Sequence, residues 1–220
     1  MSRSRAWLLL GAWACGDIGL NLPPPPPPAE PPVRELDLWG TPPTDWRDCY
    51  PGLRGIYYNL AEDHPDVERL VGDDPVDTDS PPLTMLDRDW WSGDLAFQRY
   101  DKSQDFGPNW WPVDGGFSGD PQYFAARWVG WLRVTRRDAL HEFVVGGASD
   151  VAVILDGELL IERTDLTEFE TTVEQHDLTP GVRRLDIRYA HRLGSTNGFR
   201  FRTVSEELLI CYPEFGDPAE

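Results

Sequence analysis

Asp156-Gly157 stands between two strand-like runs, Val151–Leu155 and Glu158–Glu162, and this short stretch constrains the fold more than any other. A two-residue link between strands needs positive φ at both central residues. Asp-Gly is the pair that accepts this at least cost, so the segment predicts a tight β-hairpin. Further strand-like runs, rich in β-branched and aromatic residues, surround it. They fall at Gly52–Leu60, Tyr123–Val134, Glu142–Val145, Phe169–Val173, Arg184–Ala190, Gly198–Thr203 and Glu207–Tyr212. No stretch carries a convincing amphipathic helical period. Short strands punctuated at this spacing predict an all-β, two-sheet antiparallel sandwich or a barrel, of a length that commonly forms one domain.

The text changes between Ala61 and Gln122, where Asp, Pro, Gly and Trp crowd together with little periodicity. Glu62, Asp63, Asp66, Glu68, Asp73, Asp74, Asp77 and Asp79 lie close together with only Arg69 against them. A loop this long inside a compact domain is either functional or disordered. Trp90, Trp91, Phe97, Tyr100, Phe106, Trp110 and Trp111 argue against disorder, which is poor in aromatics. The expectation is a long, irregular, aromatic and acidic insertion.

The chain opens as an export signal. Arg3 and Arg5 precede the apolar run Ala6–Ala14, a positive patch and short apolar stretch before small residues. That run falls short of the roughly 20 residues a membrane-spanning helix needs. Ala12-Trp13-Ala14 fits cleavage by a general signal peptidase. Ala14-Cys15 instead resembles a bacterial lipoprotein box, with Cys15 lipidated and the membrane reached only through that anchor. Both cuts stay open. Pro23–Pro28, followed by Pro31-Pro32, predicts an extended polyproline rod suited to a spacer. The expected organisation is a signal peptide over 1–14, a lipid-anchored proline-rich linker over 15–48, the sandwich over 49–212 and an acidic tail over 213–220. The protein is accordingly expected at the cell envelope or outer surface, or secreted.

Three cysteines are an awkward number for an exported chain. If Cys15 takes lipid, Cys49 and Cys211 remain as a pair. Export permits a disulfide between them, and closing so long a loop would contribute roughly 4–5 kcal/mol in the chain-entropy account. Two unpaired buried thiols are the alternative. The net charge of −18 excludes nucleic acid as a partner and opposes adsorption to anionic lipid.

Several motifs share an order with one known family. Asp150-Val151-Ala152-Val153-Ile154-Leu155-Asp156-Gly157-Glu158-Leu159-Leu160-Ile161 resembles the hairpin of the protective-antigen-type (PA-fourteen) domain, and more narrowly of its fibro-slime relatives. His64-Pro65-Asp66-Val67-Glu68, Trp110-Trp111-Pro112-Val113-Asp114-Gly115, Leu178-Thr179-Pro180-Gly181, and Asp186-Ile187-Arg188-Tyr189-Ala190-His191-Arg192 with Asn197-Gly198-Phe199-Arg200 resemble its other motifs in sequence. The resemblance implies a jelly-roll-like sandwich in secreted and surface proteins that bind carbohydrate or mediate adhesion. In lectin members, it further implies a calcium ion held by two adjacent Asp and a later Asn or acidic residue.

The chain departs from that pattern at the metal. The paired Asp fall on Ala148-Ser149-Asp150, so only Asp150 remains, and His191 stands at the later position. Calcium takes six to eight oxygens, and Ser149, Asp150 and Asn197 supply three at best. These three are the candidate metal ligands. Asp150 as a structural turn residue is the competing reading. Asp150, His191, Asn197, Trp90 and Trp91 are the candidate ligand-binding residues. An exposed Trp stacks on a sugar ring while acids accept its hydroxyls. For Trp110-Trp111 a core role is expected; for Trp90-Trp91 core and ligand platform stand level.

No Gly-x-Ser-x-Gly, phosphate loop, Cys-x-x-Cys or metal-spaced His pair is present, and His64, His141, His176 and His191 are scattered. The expectation is a non-catalytic surface module binding glycan or extracellular-matrix polysaccharide. The alternative is a structural scaffold contacting surface proteins through a degenerate sugar site.

Overall fold

A computed structural model describes residues 36–60, 85–88, 90–91, 95–112, 123–136, 140–164, 168–192 and 196–212, all within the compact unit Val33–Glu220. The signal, Cys15, the proline spacer, the acidic cluster with the His64–Glu68 motif, Val113-Asp114-Gly115 and the tail lie outside the described residues.

The domain is an antiparallel two-sheet sandwich. In chain order its strands are β1 (Leu53–Asn59), β2 (Leu95–Asp101), β3 (Gln104–Pro108), β4 (Phe124–Val134), β5 (His141–Gly147), β6 (Asp150–Leu155), β7 (Glu158–Arg163), β8 (Glu170–His176), β9 (Gly181–His191), β10 (Gly198–Thr203) and β11 (Leu208–Cys211). The larger sheet runs β2-β1-β4-β9-β6-β7, with β11 also on β4; the smaller runs β3-β10-β5-β8. A short helix α1 (Leu36–Trp39) and a 3-10 turn (Trp46–Asp48) precede β1. Asp156 and Gly157 take φ 54° and 90°, the values that the hairpin between β6 and β7 demands.

The long strand β4 organises the larger sheet. β9 pairs along its whole length on one side, while β1 and β11 share the other side end to end, β1 against Phe124–Val129 and β11 against Trp131–Val134. The seam falls at Gly130, where a Cβ would strike the Leu53 side chain and the Cys211 carbonyl. Cys49 and Cys211, with Cα atoms 5.7 Å apart, close this seam as a disulfide, and a Tyr50–Tyr212 bridge continues it. The expected pairing of these cysteines therefore stands.

Between the sheets, alternate residues of β1, β4, β6 and β9 meet Phe143, Val145, Phe199 and Phe201 from the smaller sheet. Trp128 stacks on Phe199 with centroids 4.5 Å apart. The outer face of the larger sheet is covered as well. Trp39 packs with Ile56, Val129 and Trp131 at one end, and Met85 and Trp90 pack with Leu60, Ala125 and Ile154 at the other. Between them Asp186 takes Arg127 at 2.8 Å and Arg188 at 3.1 Å. A sheet buried on both faces explains why the Tyr123–Val134 text is nearly continuously apolar rather than alternating.

Two findings go beyond the sequence expectations. Part of the stretch expected to be irregular folds as β2 and β3. In addition, Trp39, within the segment expected to be linker, is buried, with its indole N–H donating to the Leu185 carbonyl at 3.0 Å. Among the described residues no helix is long and apolar enough to cross a membrane.

Candidate functional site

The site forms where the chain passes from the smaller sheet to the larger, at Ala148-Ser149 between β5 and β6. The crossing is tight: Ser149 has φ 115°, and a Cβ on Gly147 would strike Val151. Neighbouring elements staple it. The Ala148 N–H donates to the Gly198 carbonyl at 3.1 Å, and the Tyr189 hydroxyl donates to the Ala148 carbonyl at 2.9 Å. The Arg192 N–H donates to Ser149 Oγ at 3.2 Å. The Asn109 N–H donates to the Asn197 carbonyl at 2.7 Å, bringing the exit of β3 to the same corner.

Burial and hydrogen bonding separate the expected residues into two sets. Asp150 is fully buried, and Arg192 donates to its carboxylate; the Ser149 hydroxyl reaches the same oxygen at 3.4 Å. This carboxylate is therefore bound by a cation the chain itself supplies. His191 and Asn197 form the other set. They are 0% and 2% exposed, yet both ring nitrogens of His191 and both amide atoms of Asn197 have no hydrogen-bonding partner among the described residues. Burial pushes the His191 imidazole down to about 4, opposed weakly by the nearby Ala148 carbonyl, which lies outside hydrogen-bond geometry. The ring is thus neutral at ordinary pH.

Trp111 stands over His191. Its indole meets the His191 ring edge-on with centroids 5.2 Å apart, and 44% of the residue remains exposed. Trp110 instead stacks inward on Phe106 at 4.2 Å. The core role expected for both members of this pair thus holds for Trp110 alone. Trp90 and Trp91 lie on the outer face of the larger sheet. Trp90 is 1% exposed, with the Arg192 guanidinium 4.7 Å and the Arg88 guanidinium 5.2 Å from its ring centroid, and it offers no free face to a sugar. Its role is to hold Arg192. Trp91 is half-buried beneath Arg188.

Among the described residues at this corner the donors are too few for calcium. Asp150 is the one carboxylate of the expected set and is already paired; Ser149 and Asn197 add only neutral oxygens, and His191 is a poor ligand for a hard cation. Among the described residues no group of three or more His, Cys, Asp or Glu is arranged to hold a metal.

A second buried polar cluster is complete in itself. Asp101, on β2, accepts from Trp128 Nε1 at 2.8 Å, from Arg99 at 2.7 Å and from the Tyr57 hydroxyl, whose pKa burial and this carboxylate raise. With every partner met, it ties β2 to the core rather than offering a site.

No family model matches the chain, and no curated protein matches it. Among solved structures it is similar to the PA14 sugar-binding domain from an RTX adhesin (15% identity, 73% of this chain and 94% of that one, TM-score 0.46). It is also similar to the Epithelial Adhesin 9 A domain from Candida glabrata in complex with Galb1-3GlcNAc (8%, 79% and 95%, 0.48). A third likeness is to an anti-sigma factor domain-containing protein (18% identity, 78% of this chain, TM-score 0.49), of which this chain spans half the length. With each of these TM-scores below 0.5, the chemistry of the corner rests on this chain's own residues.

Proposed function

We propose that the domain is a non-catalytic carbohydrate-binding module whose site is the Trp111–His191–Asn197 corner. The observation that carries this is the combination of an exposed indole with two buried side chains whose polar atoms no described residue satisfies. A buried unpaired polar group costs about 1–3 kcal/mol, so such atoms are kept where something hydrogen-bonds to them. A sugar suits both features: its C–H face packs on an indole, and its hydroxyls donate and accept. A neutral imidazole and a carboxamide together offer donors and acceptors in return. Binding of the folded protein to a glycan array tests the reading. Retention that falls at least tenfold in Trp111→Ala supports it, and equal retention by the variant removes Trp111 from the site.

The same reading places the module outside the cytoplasm. Cys15 is the proposed lipid attachment point and the proline run its spacer, with adhesion or matrix binding as the outcome. Arg3 and Arg5 before the apolar run Ala6–Ala14, together with the Cys49–Cys211 disulfide, support export. Mass spectrometry of the mature N-terminus distinguishes lipid on Cys15 from simple cleavage. One observation favours the second reading, a scaffold contacting surface proteins: the Asp150 carboxylate is turned to Arg192 rather than to a ligand. A folded protein that retains no glycan, with or without calcium, would favour that scaffold.

A further inference from the structure

The pairing of Asp150 with Arg192 has a consequence for how a sugar is taken. A buried carboxylate needs a countercharge, because an isolated ion costs several kcal/mol to desolvate. A bound metal can meet that need, and so can a guanidinium. Here the guanidinium is built in and held on several sides: Asp150 accepts from its Nε, the Trp90 ring lies 4.7 Å away, and the Arg192 backbone N–H is fixed to Ser149 Oγ at 3.2 Å. Arg192 is 4% exposed, so the ion pair is held away from solvent.

We infer that Arg192 is the resident countercharge of Asp150, so that this carboxylate holds no metal ion, and that His191 and Asn197 take a neutral, hydroxyl-bearing sugar directly. The inference rests on the carbohydrate reading for the sugar, though not for the metal. Two features set the ligand class. The unpartnered atoms belong to an imidazole and a carboxamide, neutral groups that match hydroxyls rather than a carboxylate. The Arg192 guanidinium is engaged by Asp150, and a chain of net charge −18 repels uronic and sialic acids.

Three measurements on the full domain test this separately. First, without sugar, the wild-type melting temperature is followed in millimolar calcium and in EDTA. No change is expected; a saturable rise with calcium that Asp150→Asn abolishes would overturn the inference. Second, neutral and acidic glycans are compared on an array in EDTA. Retention of neutral glycans is expected to equal that in calcium, whereas loss in EDTA or a preference for acidic glycans would overturn it. If the folded protein retains no glycan in either buffer, the carbohydrate reading falls and the calcium melt still decides the role of Arg192. Third, Arg192→Gln leaves Asp150 charged without this guanidinium, whereas the double variant Asp150→Asn/Arg192→Gln removes both charges. The double variant is expected to melt well above the single one, or to fold where the single does not. A single variant as stable as the double would show that Arg192 is not the countercharge.

Discussion

The neutral state of His191 makes a pH prediction with a definite sign. An exposed imidazole titrates near 6.5, and burial pushes this one down to about 4. Between those values the unfolded chain takes up a proton that the folded domain refuses. The contribution is therefore fully present above pH 6.5 and lost as the pH falls toward 4. Its full size is the pKa difference of 6.5 − 4 multiplied by 1.36, about 3 kcal/mol. His191→Gln keeps a neutral donor and acceptor but removes the titration. Urea unfolding with the disulfide intact gives the free energy of each protein from pH 7.5 down to 4. Groups common to both, including His176, whose pKa is also lowered by burial, cancel in the difference. The advantage of the wild type over His191→Gln is predicted to shrink by about 3 kcal/mol across that range, most steeply below pH 6.5. A difference that stays flat would refute the reasoning, since it would mean that the ring protonates inside the fold as readily as outside.

Other perturbations test the frame that holds the corner. Cys211→Ser opens a link spanning 162 residues of sequence and is expected to cost about 5 kcal/mol in the chain-entropy account; a melting temperature equal to that of the oxidised wild type would contradict the role given to the seam. Gly130→Ala drives a methyl into Leu53 and the Cys211 carbonyl and is expected to cost about 1–3 kcal/mol by denaturant unfolding; a neutral result would mean that β1 and β11 do not meet there. Asp101→Asn leaves Arg99 without its countercharge and sets an amide among three donors, for an expected loss of about 3–5 kcal/mol. A loss below about 1 kcal/mol would place that cluster in solvent.

The fold was readable in the sequence where side-chain pattern and turn chemistry agree. Asp156-Gly157 fixes its hairpin by backbone φ alone, and Gly198–Thr203 forms β10 with those same limits. The strands β2 and β3 were not readable, for a physical reason. β2 lies at a sheet edge, paired only with β1, so Gln98 and Tyr100 are exposed, and the run Leu-Ala-Phe-Gln-Arg-Tyr-Asp shows little apolar alternation. Trp39 escaped notice because the partner it covers, the outer face of β4, is far away in sequence. At the corner, Ser149, Asp150, His191 and Asn197 were all found through the family resemblance, but their division of labour was not. Arg192 sat at the end of the quoted Tyr189-Ala190-His191-Arg192 run; only its placement on Asp150 shows that this carboxylate has a countercharge within the chain. Trp110 and Trp111 are adjacent in an extended segment, which sends one inward and one outward, and sequence alone does not say which.

The central claim is that sugar binds among Trp111, His191 and Asn197, and side-chain NMR of a labelled domain tests it most directly. Titration with a neutral disaccharide in EDTA is predicted to shift the Asn197 carboxamide, the His191 ring and the Trp111 indole together, saturating with one affinity. Shifts that gather elsewhere on the domain while these three stay still would contradict the account.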